Sequence, residues 1–165
     1  MKHPNHKINI GDKAMRNLVK VSFLAASLLT VAMSSAWADD SSPVGVWKTI
    51  DDVSGKPKSL VRITESNGVL QGKIEKLFRP PEEDQNPKCD LCKGDKKDQP
   101  IIGLVILSGL KKDGNEWNGG EITDPKDGKS YKSKLELSDS GKKLQVRGYV
   151  GIPMFGRSQT WLREE

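Results

Sequence analysis

Cys89 and Cys92 are the cysteines of this chain, and the C-x-x-C spacing admits more than one chemistry. Thiol–disulfide exchange needs the first cysteine at a helix N-terminus, where the helix dipole stabilises a thiolate. Here Pro87-Lys88 precedes and Lys93-Gly94-Asp95 follows, with neither a helix nor a βαβ unit predicted nearby. Zinc needs a full tetrahedral ligand set, and no second cysteine pair exists to complete one. A local structural disulfide needs only an oxidising compartment. The flanks favour that reading over a redox-responsive clip.

A second group could bind rather than react. Arg147 and Tyr149 alternate with Val146, Gly148 and Val150, and Arg157, Gln159 and Trp161 alternate with Ser158, Thr160 and Leu162. Facing inward on neighbouring strands, they would offer guanidinium, phenol, amide and indole to one small polar or anionic ligand. Facing outward, they would be a solvated surface with cross-strand pairs. A period of two does not choose between these. Trp47 joins this candidate set as an alternative to its structural duty: Gly45 permits close backbone approach, and the Trp47 indole can plug one end of a barrel. Arg163, at the far end of the chain, can stack over that indole in a cation–π contact. The paired carboxylates Asp51-Asp52 and Asp124…Asp127 sit beside Gly in turns, where Asp serves local backbone hydrogen bonds. The calcium-loop spacing of an EF-hand is absent.

The two histidines, His3 and His6, lie near the N-terminus, and the residues after them read as an export leader. Basic 15–20, apolar 21–33 and Ala36-Trp37-Ala38 follow in the order of a secretory signal peptide. The apolar part is too short to span a bilayer. Cleavage is expected after Ala38, and Met15 is a second candidate for the true start. Cleavage takes five of 27 basic and one of 22 acidic residues, leaving 22 against 21. The high pI therefore belongs mostly to the leader, and no basic field for nucleic acid remains. The mature part, 39–165, would carry no histidine, which excludes Ser-His-Asp and Cys-His catalysis and His-ligated metal sites. No catalytic residue, metal ligand or cofactor is assigned.

Positioning falls to strands. The mature sequence predicts extended segments at 44–50, 59–65, 69–78, 101–110, 117–123, 131–137, 144–150 and 157–163, separated by turn signals. Val61 and Ile63 share one face against Arg62 and Thr64. Leu70, Ile74 and Phe78 share one against Gln71, Lys73 and Glu75. Ser66-Asn67-Gly68 is a strong hairpin signal. The run 101–110 is nearly continuous and apolar, as expected of a strand covered on both sides, and its glycines and β-branched residues disfavour a helix. Only 79–99 breaks the rhythm. It is a long polar connection, of a kind usually functional or disordered, clipped at its middle by the cysteines. About eight strands joined by tight turns predict one all-β domain, an antiparallel up-and-down barrel whose closure removes exposed edges. A sandwich is the runner-up.

Several ordered motifs carry a family resemblance. They are Gly45-Val46-Trp47-Lys48-Thr49, Cys89-x-x-Cys92-x-Gly94, Pro100-Ile101-Ile102-Gly103-Leu104, Trp117-Asn118-Gly119-Gly120, Leu144-x-Val146-Arg147-Gly148-Tyr149 and Gly156-Arg157-Ser158-Gln159-Thr160-Trp161-x-Arg163. Together they resemble an exported bacterial family known as domain of unknown function 2147, over essentially the whole mature chain. The resemblance implies a lipocalin-like barrel in the periplasm or beyond, with no activity or catalytic residues to transfer. Gly45-x-Trp47 and Arg163 look like the lipocalin structural pair.

The expected function is non-enzymatic: a periplasmic or secreted carrier or sensor of a small molecule, with no nucleic-acid partner and no integral membrane segment in the mature form. It predicts a cavity on the order of a few hundred cubic ångströms. The alternatives are an envelope interaction module acting through 79–99, with an unknown protein partner, and an enzyme using carboxylate, Tyr or Lys chemistry.

Overall fold

The computed structural model describes residues 41–164. The expected leader, 1–38, lies outside the described residues. Eight strands follow in order: β1 Gly45–Ile50, β2 Pro57–Ser66, β3 Val69–Leu77, β4 Val105–Asp113, β5 Glu116–Asp124, β6 Lys129–Ser138, β7 Lys143–Tyr149 and β8 Gly156–Arg163. Each pairs antiparallel with the next, and β8 returns to β1 to close the barrel. At the seam Trp47 pairs with Arg163 and Lys48 with Leu162. Among the described residues closure leaves no strand with a neighbour on one side only, the usual hazard of an open meander, although the seam pairs just these two positions. Among the described residues no helix is long and apolar enough to cross a membrane.

Alternation decides which side chains enter the core. On β2, Val61 and Ile63 are buried while Arg62 and Thr64 are exposed. The tight turns use left-handed residues where expected, with Asn67 and Gly68 both at positive φ between β2 and β3. One half of the barrel is packed solid. Trp47, Val61, Ile63, Leu70, Leu135 and Leu144 are fully buried there.

The 101–110 expectation needs correction. The strand begins only at Val105 and runs on to Asp113. Gly103, at φ 96°, turns the chain first, and its N–H donates to the Ile74 carbonyl at 2.8 Å. The strand is covered on one side only, because its outer face meets solvent: Ser108 is half-buried and Gly109 exposed, while Leu107 and Leu110 are buried. Phe78 is a second correction. Val61 pairs with Ile74 but Leu60 with Lys76, so the register slips by one residue at Glu75. This bulge turns the alternation over, bringing Leu77 toward the core and leaving Phe78 beyond the strand, partly exposed.

The 79–99 connection is packed against the barrel. Cys89 and Cys92 form a disulfide, and both cysteines are buried within the main core cluster. Backbone bonds from Cys89 to Gln99 and from Ile101 to Pro87 tie the loop to itself. A short 3-10 turn, Gly94–Lys96, sends the Lys96 ammonium to the Thr123 hydroxyl at 2.7 Å.

Candidate functional site

Up-and-down order places the β1–β2, β3–β4, β5–β6 and β7–β8 connections at one end of the barrel, opposite the β2–β3, β4–β5 and β6–β7 turns. The first end is open. A cavity of about 1600 Å³ lies between its connections and runs down into the barrel. It exceeds the expected volume because the long connections extend the walls beyond the strands. Ile74, Ile106, Val146 and Trp161 lie deepest in sequence register among its lining, with Ile122 on the wall. None of the residues that fill the packed half contributes to it. The barrel is thus half core and half chamber.

The register on β7 and β8 resolves the choice that the period of two left open. Leu144 pairs with Trp161, Val146 with Gln159, and Gly148 with Arg157. Because Leu144 and Val146 are buried, Trp161, Gln159 and Arg157 share the inward face, and all three line the cavity. Arg147 pairs with Ser158 on the opposite face. There its guanidinium bonds the Ser158 hydroxyl at 2.8 Å and the carbonyls of Pro153 and Met154 at 2.6 and 3.3 Å, shaping the β7–β8 loop. Tyr149, at the end of β7, borders the cavity at its rim. Trp47 does not line it. The indole sits fully buried in the packed half, donating to the Pro43 carbonyl at 2.8 Å.

Trp47 instead belongs to the closed end. The Arg163 guanidinium stacks 4.3 Å from its ring centroid and donates to the carbonyls of Gly141, Val44 and Ser42 at 2.7, 3.0 and 2.7 Å. Gly45, at φ 140°, starts β1 in a conformation that favours glycine.

The mouth is polar. Gln159 Nε2 donates to Asp52 Oδ2 at 2.8 Å, Arg157 forms an ion pair with the same carboxylate, and the Trp161 indole N–H donates to Gln159 Oε1 at 3.4 Å. On β6, which is separated from β8 only by β7, the Tyr131 hydroxyl donates to Asp127 Oδ2 at 2.6 Å. That bond, then burial and the charges of Asp127 and Asp124, hold the phenol above its ordinary range, so it stays a neutral donor. For Asp127 itself, partial burial pushes upward, but the Tyr131 and Lys129 hydrogen bonds and the Lys129 charge outweigh it, and the carboxyl sits below its usual range.

The carboxylates divide their duties. Asp51 Oδ1 accepts from the Val53 and Ser54 backbone and the Ser54 hydroxyl. Asp124 and Asp127 likewise accept from the backbone of Lys126 and Lys129. Turn duty therefore holds for these three. Asp52 departs from it by bonding Gln159 and Arg157 on the neighbouring strand β8. Asp52 and Tyr131 were missed as site residues, since no local pattern reports a partner 107 positions away. The parity of β7 was recoverable, because Leu144 and Val146 mark the apolar face.

A closed eight-stranded meander, one end sealed by a Trp–Arg pair and the other opening on a chamber, defines a lipocalin-like barrel. A solved structure with this fold is HP1028 from Helicobacter pylori, described as belonging to the lipocalin family. It is 22% identical, aligns over 74% of this chain and 82% of its own, and has a TM-score of 0.62. The chain belongs to the DUF2147 family, described as uncharacterized protein conserved in bacteria, whose model matches residues 45–163. Among curated proteins none is significantly similar in sequence.

Proposed function

We propose that this protein is an exported, non-enzymatic carrier or sensor that holds one small molecule in the open half of its barrel. The observation that carries the reading is the chamber itself, about 1600 Å³, with apolar walls below and a charged mouth above. Concave, largely apolar sites with a few placed polar groups are the usual form of a small-molecule site. Ile74, Ile106, Ile122 and Val146 suit an apolar body. Arg157, Gln159 and Tyr131 suit a polar or anionic end. Export is supported by the order of basic, apolar and small residues over 15–38 and by the Cys89–Cys92 disulfide, which fits an oxidising compartment.

The test has two arms. Native mass spectrometry of protein purified from its own host is expected to show a co-purifying small molecule. Titration with an anilinonaphthalene sulfonate dye is expected to show saturable binding that Val146→Trp, which fills the floor, weakens by about tenfold or more. Saturable binding unaffected by Val146→Trp would place the ligand outside the barrel and overturn the reading.

A further inference from the structure

We propose that Asp52 is an internal stand-in for a ligand carboxylate, and that Arg157 and Gln159 form a carboxylate-recognition subsite at the barrel mouth. The ligand class is then an amphiphilic carboxylate, its tail on the apolar floor and its head where the Asp52 carboxylate now lies. The inference rests on the chamber being a ligand site.

The donors are pre-arranged by the fold. Arg157 and Gln159 project from the same face of β8 as Trp161, and the Trp161 indole N–H donates to Gln159 Oε1. With its oxygen so engaged, the Gln159 amide turns its NH2 group to the mouth, where it meets Asp52 Oδ2. The guanidinium of Arg157 meets the same oxygen. Opposite Arg157 on β7 stands Gly148, which adds no side chain of its own beside the guanidinium, and the Ile122 and Tyr131 side chains pack over that glycine. A carboxylate is the acceptor that this amide and guanidinium together recognise best.

Asp52 is free to leave. Its own turn is held by Asp51, which accepts the local N–H and O–H donors. The Arg157 and Asp52 side chains are 66% and 35% exposed, and exposed ion pairs of this kind are weakly held. Exchange of one carboxylate for another conserves charge and both hydrogen bonds, and returns Asp52 to water, so no buried charge is left unpaired. What tips the exchange is the apolar tail, which Asp52 lacks. The exchange also unties the β1–β2 turn from β8 and widens the mouth as the ligand seats.

Dodecanoate and dodecanol, used below micellar concentration, separate head from tail. Calorimetric titrations would use the wild type, Asp52→Ala and Arg157→Gln, both changes falling on partly or largely exposed side chains, with near-UV circular dichroism confirming the fold. Wild type is expected to prefer dodecanoate. Asp52→Ala should tighten dodecanoate by about threefold to tenfold and leave dodecanol nearly unchanged, and Arg157→Gln should abolish the preference. Equal affinity of all three proteins for dodecanoate, with dodecanol also bound, would overturn the subsite and leave the chamber reading standing. Weaker dodecanoate binding by Asp52→Ala would overturn it too. Binding of neither probe by any protein would remove the chamber reading and this inference with it.

Discussion

Trp47 and Arg163 seal the closed end by satisfying each other's requirements. The indole is completely buried with its N–H bonded, and the guanidinium that covers it also takes the carbonyls of Gly141, Val44 and Ser42. Trp47→Ala should therefore cost about 3–5 kcal/mol through the cavity it leaves. Arg163→Ala should cost about 1–3 kcal/mol through the lost stacking and the carbonyls left without a donor. Urea unfolding of the two single variants and the double variant measures both, and the double variant should fall short of the sum. Acid sensitivity has a residue-scale source as well. The Lys134 ammonium, 2.6 Å from Glu116, and then the Asn118 amide hold the Glu116 carboxyl below its ordinary range. A depressed folded-state value means that this contribution is fully present above the ordinary glutamate value of about 4.3 and is lost as pH falls from there through the lower value. Glu116→Gln should flatten the stability-against-pH curve in that window, read by thermal unfolding at a series of pH values. At this scale the sequence was generous to Trp47 and Arg163, whose types announce a stacking pair. It was silent about Asp52, because an aspartate in a turn looks the same whether it bonds its own backbone or reaches across to another strand.

The long β3–β4 connection and the β5–β6 turn meet at Gly128. This residue is at φ +70°, and a Cβ there would land on the Leu91 carbonyl between the two cysteines. Close approach of the disulfide loop to the barrel is thus possible only with glycine at this point. Gly128→Ala should cost about 2 kcal/mol or more, from left-handed strain plus displaced backbone. Hydrogen exchange should show the loss concentrated at Cys89, Leu91 and Cys92, with β2 protection unchanged. A uniform loss across the barrel would mean that the contact is not local. The Cys-x-x-Cys pattern and a turn at 124–128 were both legible in the sequence, yet their contact was not, since it joins segments more than thirty residues apart. Parity was harder still. The alternation over 69–78 was right for Leu70 and Ile74 and wrong for Phe78, because a bulge at Glu75 inverts it and a bulge has no reliable local signature here.

The whole barrel depends on a pairing between its ends. Trp47 pairs with Arg163 between the first and last strands, so the seam joins the strands of the barrel that are farthest apart in sequence. Such non-local topology predicts slow, cooperative refolding, in about milliseconds to seconds. Stopped-flow tryptophan fluorescence checks this, and Arg163→Ala should speed unfolding more than it slows folding if the seam forms late. The number of strands, the antiparallel meander and its closure followed from the chain itself, though β4 starts later than expected, because a period of two, Asn-Gly and Asp-rich turns and the absence of amphipathic helix leave few other ways to bury these apolar residues. Those are local and compositional facts, and sequence holds them directly. Which half of the interior is packed and which is hollow, that Arg157 faces the chamber, and what Asp52 touches were decided only in three dimensions. Register, bulges and contacts across the β1–β8 seam depend on residues brought together by closure, and no stretch of the chain carries that information alone.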